Sequence, residues 1–221
     1  MRRTVFAVAG GTIVFAIVHS VLASTRMKAL IEKRVGTAAR DGLYRSAYTG
    51  YTVVWLAIMF WLFSRLPDRV LYEVRAPWSR VMRAGQLAGL LIVLDASNRI
   101  GPGRFNGIQQ TIEFLRGREP QREPPGQGPR LDGDIARATG GAFRISRHPI
   151  NLAPTLIVWL QPKMTVSWLT FSIVGSLYSF FGSIHEEMRV RDAYQERYDE
   201  YKRGTPFFFP FPIRKRSNDS E

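Results

Sequence analysis

The 221 residues contain no cysteine, which excludes disulfides, zinc–thiolate sites, iron–sulfur clusters and a cysteine nucleophile. Histidine is scarce: His19, His148 and His185 are the only ones. An all-histidine metal cage would use every one, and no metal site is expected. Acidic residues are also few, 18 against 31 Lys+Arg, for a net charge of +13. Such a balance suits nucleic acid or an anionic membrane surface. The order of the apolar residues favours the membrane.

Val5 to Ala23 carries no formal charge over nineteen residues, long enough to cross ~30 Å of hydrocarbon at ~1.5 Å per residue. Two arginines precede it and Val21-Leu22-Ala23-Ser24 follows, so a cleavable signal peptide is the competing reading; the run is long for a signal core. Gly50 to Phe63 is a second run, extended on its early side by Tyr44, Ala47 and Tyr48. Val81 to Leu94 is a weaker third, interrupted by Arg83 and Gln86. Ile150 to Ile184 is thirty-five residues with one charge, Lys163. Gln161-Pro162-Lys163 divides it into a hairpin of two helices, the first kinked at Pro154.

The expected fold is therefore all-α: a multi-pass transmembrane bundle of about five membrane helices with a C-terminal hairpin followed by a cytoplasmic helix. Five crossings put the two ends on opposite sides. With the tail inside, 23 of the Lys and Arg residues are cytoplasmic and 8 are not, the orientation favoured by the positive-inside rule. A bacterial-type inner membrane, with the lipid bilayer as partner, accounts for the basic excess. Nucleic acid is not needed, and no protein partner is legible.

Residues 1–100 form the N-terminal helices. Residues 101–138 form a cytoplasmic connector: Gly101 to Arg130 has six Gly and five Pro, which forbids a continuous helix but allows a short one near Gln109–Arg116. Residues 139–212 form the C-terminal region that would bind a cofactor, and 213–221 a polar tail. After Ile184 a charged helix is expected from Glu186 to about Lys202, stopped by Gly204 and Pro206. Phe207 to Pro212 reads as an interfacial aromatic segment.

Arg147-His148-Pro149 sits where a basic loop enters the fourth helix, with the proline at a first-turn position where its missing N–H is harmless. Glu186-Glu187 lies at the far end of the fifth helix. As a plain solvated extension, it would pair Glu187 with Arg191 at i,i+4. A hairpin brings both motifs to one face. An acidic pair beside an Arg-His site suits a zwitterionic ligand, whose ammonium needs a carboxylate and whose carboxylate needs a cation. His19 reads as a satisfied interior histidine, though an ionisable group at membrane depth is a functional candidate by default. His185 reads as a supporting or interfacial group. Asp95 is expected to pair with Arg99, and Tyr194, Tyr198 and Tyr201 to form a packing stripe.

Thr139-Gly140-Gly141-Ala142-Phe143-Arg144-Ile145-Ser146-Arg147-His148-Pro149 resembles the T-x-G-x-Y-x-x-x-R-H-P signature of isoprenylcysteine carboxyl methyltransferase-like membrane enzymes. Glu186-Glu187, Arg197-Tyr198, Tyr201 and Pro206 resemble the same family's E-E, Y-x-x-Y and closing proline. Trp159 and Pro162-Lys163-Met164-Thr165-Val166 are similar to the methanethiol S-methyltransferases, an NnrU-like branch of this superfamily. His19-Ser20 with Ala23-Ser24 is similar to the first-helix H-S-x-x-A-S of NnrU-like proteins, and Gly107-Ile108-Gln109-Gln110 to a G-x-x-Q segment.

The resemblance implies a methyltransferase using S-adenosyl-L-methionine on a small-molecule or lipophilic acceptor, first a thiol. It implies cofactor contacts at Ile135, Ala136, Arg137, Ala138, Phe143, His148, Pro149, Ile150, Asn151, Glu186 and Glu187. Arg147, His148 and Glu186 are the catalytic candidates, and Arg144 or Arg147 is our choice to clamp the cofactor carboxylate. Four positions depart from the pattern: Phe143 and Asn151 replace tyrosines, Ile135 a histidine, and Gln195 a glycine. Carboxyl-methylating relatives are expected to hold the substrate carboxylate with an arginine at the position of Gly182, so a prenylcysteine acceptor is disfavoured against a thiol. A lipid amine is a further alternative. Two other readings are a haem-binding NnrU-like isomerase or electron-transfer protein using His19, and a non-enzymatic membrane accessory protein.

Overall fold

The computed structural model describes residues 1–123 and 125–209; the expected polar tail and the end of the aromatic segment lie outside the described residues. The order is α1 (Arg2–Ala23), α2 (Thr25–Val35), α3 (Thr37–Ser64), β1 (Val70–Glu73), α4 (Trp78–Ile100), α5 (Pro102–Phe105), α6 (Ile108–Leu115), α7 (Ile135–Ala138), α8 (Ala142–Ile145), α9 (Pro149–Trp159), β2 (Lys163–Thr165), α10 (Val166–Tyr194) and α11 (Glu196–Gly204).

The five apolar runs fall within α1, α3, α4, α9 and α10. By length and composition α1 and α3 could cross a bilayer, yet only 17% and 6% of their most apolar windows are buried. The central helix of a water-soluble domain would bury its apolar surface instead. Here Phe6, Ile17, Val53 and Trp61 all point outward.

Small residues and polar links hold the helices together, as expected where apolar surface alone gives little drive to associate. Gly89 of α4 lies against α9, and a Cβ there would come within 2.9 Å of Ile157 Cγ1. Beside it, Gln86 Nε2 donates to the Ile157 carbonyl at 3.1 Å. The pairs Asn151–Ser183, Trp159–Ser176 and Val158–Ser172 show that α9 runs antiparallel to α10.

The chain segments sort to two ends of this bundle. At one end β1 pairs antiparallel with β2, Thr4 Oγ1 donates to the Pro67 carbonyl at 2.7 Å, and Ser167 N–H to Asp68. At the other, Arg189 Nη1 reaches the Ala23 carbonyl at 2.8 Å and Lys28 pairs with Glu123 at 3.0 Å. The main buried cluster also sits at that second end: Ala96, Ile100, Leu131, Ala142, Phe143, Val190, Tyr198 and Tyr201.

Four expectations need correction. The fold is helical but not strictly all-α, because the two loops at the first end are brought close enough to pair as strands. The stretch after Ser24, outside every expected membrane helix, is helix α2; the Ser24 side chain caps it by accepting from Met27 N–H, and Gly36 with positive φ ends it. The charged helix does not run unbroken from Glu186: α10 continues to Tyr194 and breaks at Gln195, where φ is 48°. Glu187 does not pair with Arg191, since Arg191 turns outward to Asp199 while Glu187 faces inward to Arg147. The expected short helix in the connector is α6, Asp95 pairs with Arg99 at 2.8 Å, and Tyr198 and Tyr201 pack in the buried cluster.

Candidate functional site

The signature stretch is pinned to the end of α4. Asp95 Oδ2 accepts from Arg99 Nε and from Ala142 N–H at 2.7 Å, while Arg99 Nη1 donates to the Arg137 carbonyl at 2.7 Å. The Arg99 hydrogen bond, with the backbone donor, holds the Asp95 carboxyl below the usual carboxylate range. Gly141 lies between them with φ 52°, and a Cβ there would collide with both side chains. The signature's glycine is thus required by backbone conformation and by close approach.

Arg147-His148-Pro149 then meets the end of α10 and the C-terminal segment. Arg147 Nε donates to Glu187 Oε1 at 2.6 Å and Nη1 to the Thr205 carbonyl at 2.6 Å. Ser146 Oγ donates to the Phe207 carbonyl, and the His148 ring packs 4.9 Å from that of Phe207. Pro149 opens α9. His148 bridges the acidic pair, with Nε2 3.4 Å from Glu187 and Nδ1 3.5 Å from Glu186. Burial works against charge on His148, but the two carboxylates outweigh it and raise its pKa above the ordinary histidine value. Glu187 shows the converse: burial pushes its pKa up, while His148 and Arg147 hold it far below the carboxylate range.

Glu186 opens on the other side, into a cavity of about 560 Å³. The Gln127 N–H donates to Glu186 Oε1, and Asn151 Nδ2 bridges Ser183 Oγ at 2.8 Å and Glu186 Oε2 at 3.4 Å. Gly126 lies so close that a Cβ would fall 2.8 Å from Glu186 Oε1. The cations Lys28 and Arg45 line the same cavity, as does Arg189, about one turn along α10 from Glu186. Glu123, on the connector, is held by Lys28 at 3.0 Å and Arg45 at 3.3 Å. Arg189 Nε is buried with no hydrogen-bond partner. From there the cavity extends to His19, Tyr48 and Tyr178.

The arrangement can hold a zwitterion: a buried carboxylate for an ammonium, cations for a carboxylate, and an aromatic end for an apolar group. It divides the residues expected from the sequence. Asn151 and Glu186 line the cavity, and Arg147, His148 and Glu187 form the ion cluster behind it. Phe143 is wholly enclosed in the buried cluster. Ile135, Ala136, Arg137 and Ala138 form α7 and, like Pro149, Ile150 and Arg144, are not in the cavity wall. Arg144 is exposed, and Arg147 is already committed to Glu187 and the Thr205 carbonyl. Sequence reasoning missed Lys28, Arg45, Glu123 and Arg189. The available signal was His19-Ser20 with Ala23-Ser24, all four of which line the cavity.

Three relatives are similar to this chain. A methanethiol S-methyltransferase from Mycobacterium tuberculosis is 29% identical over 202 residues, covering 91% of this chain and 76% of the relative. Methanethiol S-methyltransferase 1 of Bradyrhizobium diazoefficiens is 28% identical over 198 residues, 89% of this chain and 64% of that protein. The methanethiol S-methyltransferase of Pseudomonas deceptionensis is 26% identical over 196 residues, 89% and 69% respectively. The chain thus spans about two thirds of the length of the Bradyrhizobium and Pseudomonas relatives and about three quarters of the Mycobacterium one. No family profile matches the chain, and no solved structure does.

Proposed function

We propose that this protein is an integral membrane methyltransferase that uses S-adenosyl-L-methionine to methylate a small thiol, methanethiol being the first acceptor to try. The observation that carries this reading is the cavity that brings buried Glu186 together with Lys28, Arg45 and Arg189 and continues into an aromatic end. The named activity of the relatives supports the choice of a thiol.

When bound, the cofactor supplies an already activated methyl group, so the protein's work is positioning and exclusion of water. Glu186 holds the ammonium, with Asn151 and the Gln127 N–H fixing its carboxylate. Arg189 takes the carboxylate of the cofactor, and Arg45 and Lys28 add positive potential from the facing side. The Pro125–Gln127 stretch covers this polar end. At the aromatic end, Gly182 lines the cavity with open space where a side chain would project. That space suits a small acceptor with no carboxylate to bind.

The membrane reading rests on the exposed apolar faces and on charge. The end of the bundle that holds the cavity carries 20 of the Lys and Arg residues among the described residues, which supports five crossings with that end cytoplasmic. Calorimetric titration of detergent-purified protein with S-adenosylhomocysteine, with an absorbance scan of the same sample, tests the site. Saturable micromolar binding without a Soret band is expected. No binding removes the methyltransferase reading.

A further inference from the structure

The aromatic end of the cavity holds a hydrogen-bond chain whose direction is determined. The Tyr48 hydroxyl contacts His19 Nε2, and Thr52 Oγ1 lies 3.2 Å from His19 Nδ1. Thr52 has one proton and gives it to the Tyr48 carbonyl at 2.9 Å. Toward the ring it can therefore only accept, which puts the imidazole proton on Nδ1 and leaves Nε2 as the acceptor. The Tyr48 hydroxyl proton is then committed to Nε2. What Tyr48 presents to the cavity is an oxygen lone pair.

That polarity matters because a simple alkyl thiol, a weaker acid than the cysteine side chain with its pKa of about 8.5, is almost wholly protonated at neutral pH, and the thiolate is the nucleophile. A bound thiol can donate its hydrogen to Tyr48 Oη. We propose that Tyr48 and His19 are a proton relay that deprotonates the acceptor. The S–H bond breaks and its proton passes to Tyr48 Oη while the tyrosine's own proton passes to His19 Nε2. The sulfur electron pair forms the new S–C bond to the methyl of a sulfonium donor, whose C–S bond breaks. The donor's positive charge disappears as the imidazolium's appears, so the net charge in the cavity is unchanged, and His19 later returns the proton to water.

Charged and aromatic groups surround the pair. Arg45 on α3, Glu123 on the connector, and Tyr178 and Arg189 on α10 line the same cavity. Arg45 and Glu123 neutralise one another at 3.3 Å. The Tyr178 ring stands edge-on to His19, with centroids 6.0 Å apart. Both ring nitrogens of His19 are engaged, which argues for proton transfer rather than metal ligation at this residue.

The inference rests on the methyltransferase reading, so the test separates the two. Three measurements use full-length protein in detergent, on wild type, Tyr48→Phe and His19→Gln. The first is ¹⁵N NMR of labelled histidines, with His148→Gln and His185→Gln for assignment. His19 should be the Nδ1–H tautomer, and an Nε2–H tautomer overturns the relay. The second is S-adenosylhomocysteine titration, in which the two variants should bind within about threefold of wild type. The third is methylation of ethanethiol and of an acidic aromatic thiol at pH 7. Tyr48→Phe should lose about 10²–10³-fold with ethanethiol and less than about threefold with the thiol that is already ionised. Equal losses with both thiols mean a packing role and overturn the relay alone. Absence of cofactor binding in wild type sinks the methyltransferase reading and the relay with it.

Discussion

Arg147 and Glu187 form the tightest ion pair of the C-terminal region, with Nε 2.6 Å from Oε1 and both side chains largely shielded from water. The same guanidinium donates to the Thr205 carbonyl, and its carbon lies over the Phe207 ring, 5.6 Å from the centroid. One side chain thus joins the signature loop, the end of α10 and the chain after α11. Arg147→Gln should lower stability by about 1.5–3 kcal/mol, because Glu187 keeps only His148 and Lys202 as partners and the Thr205 carbonyl loses its donor. Thermal unfolding in detergent reads this, and an unchanged midpoint would show the pair to be dispensable.

The same cluster sets a pH dependence. His148 has a raised pKa, so its contribution is complete below the ordinary histidine value of about 6.5 and is lost as pH rises through its folded value. Glu187 is depressed, so its contribution is complete above about 4.3 and is lost only in stronger acid. The melting temperature should therefore be highest between about pH 4.3 and 6.5 and fall toward pH 8. His148→Gln should flatten the upper slope, and a slope that survives in the variant would place the titrating group elsewhere.

Glu186→Gln removes charge and almost no volume. It should weaken S-adenosylhomocysteine about 10–100-fold, the worth of a charge-assisted hydrogen bond, while thermal unfolding stays close to wild type. Unchanged affinity would rule out Glu186 as the ammonium ligand.

The carboxylate clamp separates by position. Arg189→Gln should cost about tenfold in the same titration, since its guanidinium lines the cavity with Nε unpartnered. Arg144→Gln, on the exposed side of α8, should change affinity less than twofold. The reverse ranking would return the clamp to the signature loop.

Gln195 is the single non-glycine residue with positive φ among the described residues. Its backbone, φ 48° and ψ −121°, is one that only glycine adopts without strain. Gln195→Gly should stabilise the protein by about 1 kcal/mol, visible as a raised unfolding midpoint. The glycine of the related pattern at this position is explained by the α10–α11 break, which needs that conformation.

Part of this was legible in the sequence because it depends on short-range order. The apolar runs located α1, α3, α4, α9 and α10, the spacing 95–99 identified the Asp–Arg pair, and Pro149 marked the start of α9. Helix α2 escaped because its evidence is a cap and an amphipathic face rather than an apolar run. The β1–β2 pairing escaped because neither strand has a pattern of its own; each forms only because the other loop arrives beside it.

The sequence alone determined a basic, cysteine-free helical chain whose signature and acidic pair meet at one end. Those are properties of composition and of residues close in the chain. Only the tertiary structure decided what the charges do. Arg147, the expected clamp, is consumed by Glu187. Arg189, Arg45 and Lys28 share the cavity with Glu186 instead, and His19 joins them from the first helix. Residues as far apart as 23 and 189 meet because α1 and α10 run in the same direction between the two ends of the bundle, and which charge is left free depends on which partners that packing brings within reach.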